Sequence, residues 1–158
     1  MAYGVIGLGE LSHSEVPLSR AAPQLIIGAK MLSPLRILIV DDSDVARRIL
    51  ATIVRSRHWT VCGEAGDGRS GVKKFHELKP DLVLLDLAMP DMDGIQAAEQ
   101  MSTTDPTVPI ILFTVLDLEG LETRARKAGI CAVVSKAQGW NLLTAIETAV
   151  TRSDQSIH

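Results

Sequence analysis

Short apolar runs alternate with longer segments of helical period between residue 36 and about residue 150. Each apolar run is rich in aliphatic or β-branched residues and has the length of one buried strand. A regular alternation of strand and helix is typical of an α/β domain with a parallel sheet. The runs are RILIV (36–40), TVCGEA (60–65), DLVLLD (81–86), PIILFT (109–114) and CAVVS (131–135).

The segments between and after these runs predict one helix for each strand. In the first helix the period predicts one buried stripe of Val45, Ile49, Ile53 and Val54, with Arg47 largely off it. The predicted helices span about Ser43 to Arg57, Gly68 to Leu78, a segment from Gly94, about Leu118 to Ala128, and about Asn141 to Val150.

Right-handed crossovers restrict a sheet of this kind to a few strand orders, and 2-1-3-4-5 is the common order for five strands. We therefore predict a doubly wound parallel sheet of five strands in that order. Cys62 and Cys131 then lie on strands at opposite edges, roughly 19 Å apart. A disulfide needs Cα atoms within about 7 Å. The two cysteines are interpreted as reduced, buried thiols.

The chain of 158 residues has room for one domain with a real core. We predict that this domain spans residues 34–150 and that residues 151–158 form a short tail. Residues 1–33 mix Ser, Pro and Ala without period. They are interpreted either as a disordered leader or as the result of a misplaced start ahead of Met31.

Composition and charge exclude several classes of function. A formal net charge of −3 gives no overall positive field, so we do not expect direct binding of nucleic acid. No apolar run approaches the roughly 18 residues of a membrane-spanning helix. Neither cysteine belongs to a CxxC motif, and the four histidines show no ligand spacing. A soluble cytoplasmic protein is the expectation.

Chemically active side chains follow four of the predicted strands. Asp41 and Asp42 follow the first strand, Asp86 ends the third, Thr114 ends the fourth, and Lys136 follows the fifth. In the predicted order these strands are neighbours, and ligands bind beyond the carboxyl ends of such strands. Three carboxylates suit Mg²⁺ with phosphate oxygens, and one of them can act as a nucleophile. An ammonium and a hydroxyl can stabilise a transferring phosphoryl group.

Four segments resemble the receiver domain of bacterial two-component response regulators over about residues 35–150. They are ILIVDDSDVARRIL, PDLVLLDLAMPDMDG, VPIILFT and AVVSKA. The resemblance implies the flavodoxin-like receiver fold, with Asp86 as the phospho-acceptor. It also implies a Mg²⁺ site made of Asp41, Asp42, Asp86 and the backbone carbonyl of Ala88. Thr114 is implied to be the switch hydroxyl and Lys136 the lysine that pairs with the phosphate.

The same resemblance implies the partners. A sensor histidine kinase or a phosphotransfer protein would donate the phosphoryl group, and a downstream protein would bind the surface of the fourth helix, fifth strand and fifth helix. Trp140 is a candidate contact on that surface, and the resemblance leaves open a homodimer that forms on phosphorylation. Only TRSDQSIH follows the last predicted helix, so a stand-alone receiver is expected. Val133 and Ala137 replace the aromatic residue and the proline that are common in the family.

Other functions compete with this interpretation. GDGRSG (66–71) and VIGLGELS (5–12) suggest dinucleotide binding, but neither has the complete strand and helix context of that motif. DMDGI (91–95) has the form of a phosphatase motif with an aspartate nucleophile, but LAMP separates it from the end of the strand. A receiver-shaped binding module that is never phosphorylated usually lacks an acidic residue or the lysine, and both are present here.

Overall fold

The computed structural model describes residues 33–116, 119–139 and 141–155. Residues 1–32, which are most of the predicted leader, lie outside this part of the chain, and so does Trp140. Residues Leu35–His158 form one compact unit.

Five strands and five α-helices alternate along the described chain. The strands are β1 (Arg36–Val40), β2 (Thr60–Ala65), β3 (Leu82–Leu85), β4 (Ile110–Thr114) and β5 (Ala132–Ser135). The helices are α1 (Asp44–Ser56), α2 (Gly68–Leu78), α3 (Gly94–Thr104), α4 (Leu121–Lys127) and α5 (Asn141–Gln155), and a short 3₁₀ turn, Lys136–Gln138, follows β5. Helix α5 therefore continues beyond the predicted end at Val150 into the predicted tail. No helix of the described residues is long and apolar enough to cross a membrane.

All strand pairs are parallel, and the order is β2-β1-β3-β4-β5. The predicted fold class and strand order are thus confirmed. Cys62 and Cys131 are both free and lie at opposite edges of the sheet, as predicted. The prediction that both are buried was wrong, because Cys62 is half-buried and Cys131 is exposed. Edge strands have a neighbour on one side only, which leaves such positions more open to solvent.

The core consists of one apolar layer on each face of the sheet. Leu38 and Val40 point to the layer under α2, α3 and α4, and Ile37 and Ile39 point to the layer under α1 and α5. This alternation follows from the period of two along a strand. Strands β1, β3 and β4 are covered on both faces, which explains their continuous apolar sequences.

Helix α1 presents a different face to the sheet from the one that its period predicts. Val45 is 63% exposed and Ile49 is 55% exposed, whereas Leu50, Ala51 and Val54 are buried. The predicted stripe was therefore wrong except at its C-terminal end. The helix carries apolar residues on two adjacent stripes, and contact with the sheet decides which of them is buried.

Candidate functional site

Three carboxylates meet at the carboxyl end of the sheet. Asp41 is 1% exposed and Asp86 is 4% exposed, while Asp42 lies at the surface. One carboxylate oxygen from each of them lies within 4.8 Å of the others. The structure thus brings together the acidic residues that the strand ends predict.

Backbone hydrogen bonds extend the sheet by one residue and hold Asp41 and Asp86 in place. The amide of Asp41 donates to the carbonyl of Ala65 over 3.0 Å, and the amide of Asp86 donates to the carbonyl of Val40 over 2.8 Å. One oxygen of the Asp41 side chain accepts a bond of 2.9 Å from the amide of Ser43. The side chains of Asp41 and Asp86 therefore extend from backbone that the sheet holds rigidly. Rigid backbone favours a defined geometry of the groups that bind a ligand.

Lys136 is the cation of the site. It follows β5, and its Nζ donates to Oδ2 of Asp41 over 2.6 Å. The same Nζ lies 3.3 Å from Oδ1 of Asp86 and 5.9 Å from the ring centroid of Phe113. The Lys136 side chain is 18% exposed, so its charge is poorly screened by water. The ammonium offsets part of the repulsion between the two buried carboxylates.

Burial raises the pKa of Asp86 above its usual range, and the neighbouring charge of Asp41 raises it further. Burial lowers the pKa of Lys136, but its hydrogen bond to Asp41 and the charges of Asp86 and Asp41 outweigh this effect and raise that pKa. Oδ1 of Asp86 has no hydrogen-bond partner within the described part of the chain. The Lys136 ammonium forms an ion pair with this oxygen over 3.3 Å. A metal ion or a phosphorus atom would therefore approach an oxygen that already has a cation beside it.

Thr114 lies at the carboxyl end of β4 and is 0% exposed. Its hydroxyl accepts a hydrogen bond of 3.2 Å from the amide of Leu116. Val115 and Leu116 directly follow it and are 70% and 47% exposed. A movement of the Thr114 hydroxyl would therefore be transmitted to an exposed apolar loop.

The loop after β3 carries Ala88, which is exposed, and it leads to α3. Asp93 is the N-cap of α3 and forms a capping box with Gln96. The amide of Gly94 donates to the carbonyl of Leu87 over 2.9 Å. The DMDG segment is thus a turn and a helix start that pack against the backbone of the third strand's end. It does not deliver a nucleophile at the end of a strand.

The GDGRSG segment also has a structural explanation. Asp67 is the N-cap of α2, and its side chain accepts from the amide of Ser70. A Cβ at Gly71 would lie 2.8 Å from a methyl carbon of Val40, and one at Gly68 would lie 2.7 Å from the carbonyl oxygen of Met92. These glycines permit close packing of α2, which accounts for the motif without a nucleotide.

The sequence reasoning missed two residues beside the site. Phe113 belongs to the core on the α1 and α5 face, and its ring lies near the Lys136 ammonium. Arg47 donates from Nη1 to the backbone carbonyl of Asp41 over 2.7 Å. Arg47 precedes Leu50, Ala51 and Val54 by three, four and seven positions, so it lies on the buried stripe of α1. The sequence indicated this contact through the spacing of Arg47, which puts it on the same helical face as the buried residues of α1.

Comparisons with known proteins agree with this site. The family model described as "Response regulator receiver domain" matches residues 37–147. The chain belongs to this family, and it is a signalling protein of the phosphorelay type.

The chain is 37% identical to the "Chemotaxis protein CheY" of Listeria monocytogenes over 116 residues, which are 73% of this chain and 98% of that protein. It resembles the crystal structure of the response regulator domain of Thermotoga maritima CheB, with 30% identity and a TM-score of 0.70. That similarity covers 75% of this chain and 98% of the other. The CheX-CheY-BeF3-Mg+2 complex from Borrelia burgdorferi matches with 27% identity and a TM-score of 0.68, over 78% of this chain and 96% of the other.

Proposed function

We propose that this protein is a cytoplasmic receiver that accepts a phosphoryl group on Asp86 from the phosphohistidine of a sensor kinase or phosphotransfer protein. Its output is a change in binding to a downstream protein, and its only chemistry is its own phosphorylation and dephosphorylation. The observation that carries the proposal is the buried carboxylate of Asp86, whose Oδ1 accepts no hydrogen bond from the described residues and forms an ion pair with the Lys136 ammonium, which also contacts Asp41.

The acidic cluster fits Mg²⁺. Asp41, Asp42 and Asp86 each offer an oxygen within 4.8 Å of the others, and the carbonyl of Ala88 is on the adjoining loop. Mg²⁺ is bound by few carboxylates together with waters and phosphate oxygens. The exposed carboxylate of Asp42 is the first candidate for a direct contact. When bound, the cation would neutralise charge on the phosphoryl oxygens. A similar protein whose structure contains BeF3 and Mg+2 supports this assignment.

In the proposed transfer, an oxygen of the Asp86 carboxylate forms a bond to phosphorus while the bond from phosphorus to the donor imidazole nitrogen breaks. The imidazole leaves with the electron pair of that bond. Charge on the phosphoryl oxygens needs preorganised donors. Lys136 is 3.3 Å from the acceptor carboxylate before any phosphate is present, so its ammonium needs only a small shift to meet the new oxygens.

Phosphorylation would then change the surface in two places. The Lys136 ammonium would give up its hydrogen bond to Asp41 and bind the phosphoryl group. The Thr114 hydroxyl would likewise give up the hydrogen bond that it accepts from the Leu116 amide and turn towards the phosphoryl group. A shift from 1:99 to 99:1 between two states needs about 5.5 kcal/mol of differential stabilisation. The affected loops flank α4, β5 and α5, the proposed output surface. Trp140, the candidate contact on this surface, lies outside the described residues.

The test is incubation of the full chain with Mg²⁺ and acetyl phosphate, followed by intact-protein mass spectrometry. We expect the addition of one phosphoryl group to the wild type and to Asp91→Asn, and none to Asp86→Asn. Asp91 is a matched control because it is an exposed aspartate of the same loop and belongs to the DMDG segment. Labelling of Asp86→Asn would overturn the proposal. Sustained phosphate release that is lost in Asp91→Asn would favour a phosphatase instead.

A further inference from the structure

Arg47 contacts the backbone that carries the acidic pair. Its side chain is 18% exposed, and Nη1 donates to the carbonyl oxygen of Asp41 over 2.7 Å. That carbonyl belongs to the peptide bond between Asp41 and Asp42. The orientation of this peptide sets the direction in which Asp42 leaves the chain.

The guanidinium of Arg47 is itself oriented from two elements. Its Nη2 donates to the carboxylate of Asp44 on α1, and its Nε lies 3.9 Å from the carboxylate of Glu64 on β2. These partners are 71% and 41% exposed, so the pairs add little to stability. A planar guanidinium held on several sides nevertheless has a fixed direction, which the flexible ammonium of lysine cannot reproduce.

The other polar groups of Asp41 already have partners. Its amide donates to Ala65, and its carboxylate accepts from Ser43 and Lys136. The contact with Arg47 therefore completes the restraint of this residue. We propose that Arg47 is a positioning residue that holds the peptide between Asp41 and Asp42 and thereby increases the Mg²⁺ affinity of the acidic pair. This inference rests on the proposed metal site.

Positioning and simple electrostatics predict opposite results at Arg47. A positive charge beside a cation site repels the cation, so removing the charge alone should tighten Mg²⁺ binding. Removing a group that orients metal ligands weakens binding, typically by 10- to 100-fold. The sign of the change in affinity thus separates the two roles.

The experiment compares the wild type with Arg47→Met, Arg47→Lys and Arg48→Met by titrating the full chain with Mg²⁺. Affinity is read from the backbone amide resonances near the acidic pair in NMR spectra. Arg48 is the matched control because it is the exposed neighbour with the same charge. We expect about tenfold weaker binding in Arg47→Met, an intermediate loss in Arg47→Lys, and unchanged or slightly tighter binding in Arg48→Met.

Unchanged or tighter Mg²⁺ binding in Arg47→Met would overturn the inference. If Arg47→Met does not fold, the titration of Arg47→Lys is decisive. Weaker Mg²⁺ binding by Arg47→Lys than by the wild type supports the positioning role, and equal binding refutes it. If neither the wild type nor Arg48→Met binds Mg²⁺, the proposed metal site fails, which is distinguishable from failure at Arg47 alone.

Discussion

Burial of the Asp86 carboxylate disfavours its charged form. Desolvation and the nearby charge of Asp41 raise its pKa, while Lys136 compensates only in part. A raised pKa makes the carboxylate anion more basic, and burial leaves that anion poorly solvated. Once the proton is lost, such an anion is a better nucleophile towards phosphorus than a hydrated carboxylate. The buried charge of Asp86 should therefore lower the free energy of unfolding by an amount that can be measured.

Replacement of Asp86 by asparagine should stabilise the domain near neutral pH, because the ion pair with Lys136 offsets only part of the cost of burying this charge. The gain should not exceed about 1 to 3 kcal/mol, the cost of a buried polar group that has lost its partner. Because the pKa of Asp86 is raised on folding, the cost is absent below the usual aspartate range near pH 4. It grows as the pH rises through the raised pKa of the folded protein. Urea unfolding of the wild type and Asp86→Asn at several pH values measures it. A constant difference at all pH values would contradict this explanation, and Asp91→Asn serves as the exposed control.

At the scale of elements, the close approach of α3 to the end of β3 positions Asp86, the proposed phospho-acceptor. A Cβ at Gly94 would overlap the carbonyl oxygen of Asp86 and would lie 3.0 Å from Cα of Leu87. Because both obstacles are backbone atoms, Gly94→Ala should shift the start of α3 or the acceptor itself. We expect a loss of about 1 to 3 kcal/mol in stability and slower phosphorylation by acetyl phosphate.

Gly139→Ala is the matched control for Gly94→Ala. A Cβ at Gly139 would meet its nearest atom, the carbonyl oxygen of Lys136, at an ordinary 3.7 Å. Its free energy of unfolding should change by no more than about 0.5 kcal/mol. Equal effects of the two substitutions would show that the approach of α3 does not matter.

The orientation of α1 gives a second prediction at this scale. Leu50 is 2% exposed and Ile49 is 55% exposed, although they are adjacent in the sequence. Leu50→Ala should cost about 2 to 5 kcal/mol, since it removes a fully buried side chain. Ile49→Ala should cost about 0.5 kcal/mol or less. Chemical denaturation compares the two variants, and a reversed order would mean that the helix buries its other stripe.

At the scale of the whole molecule, the site is connected to two loops through separate side chains. Thr114 is bonded to the amide of Leu116 after β4, and Lys136 links the turn after β5 to Asp41. A phosphoryl group that attracts both side chains would alter both loops together. We therefore expect phosphorylation at Asp86 to alter the proposed α4, β5 and α5 output surface without a large movement of the sheet.

Phosphorylation should therefore shift the NMR resonances of Leu116 and Ala137 in the wild type. In Thr114→Ala the response of Leu116 should be lost while that of Ala137 remains, and Lys136→Met should show the reverse. Each variant is the control for the other, and intact mass confirms that both carry phosphate. A normal response of both loops in Lys136→Met would contradict the role of the lysine.

Tertiary packing corrected the sequence interpretation at α1. Neighbouring residues of a helix differ by about 100° in direction around its axis. Helix α1 has two apolar stripes, and both fit the helical period almost equally well. Sequence reasoning chose the stripe of Val45 and Ile49, and it therefore placed Arg47 away from the sheet. Contact with Ile37 and Ile39 selects the other stripe, and that choice brings Arg47 to the carbonyl of Asp41.

The sequence by itself determined the sheet, its strand order, and the convergence of Asp41, Asp42 and Asp86 at one edge. These features follow from strand periodicity and from crossover handedness, which act through local residue patterns and chain connectivity. Only the tertiary structure decided that Lys136 binds Asp41, 95 positions away, over 2.6 Å. The structure alone likewise shows that Oδ1 of Asp86 accepts no hydrogen bond from any described residue. Such contacts depend on distances and angles between side chains from separate elements, and those are set when the elements pack.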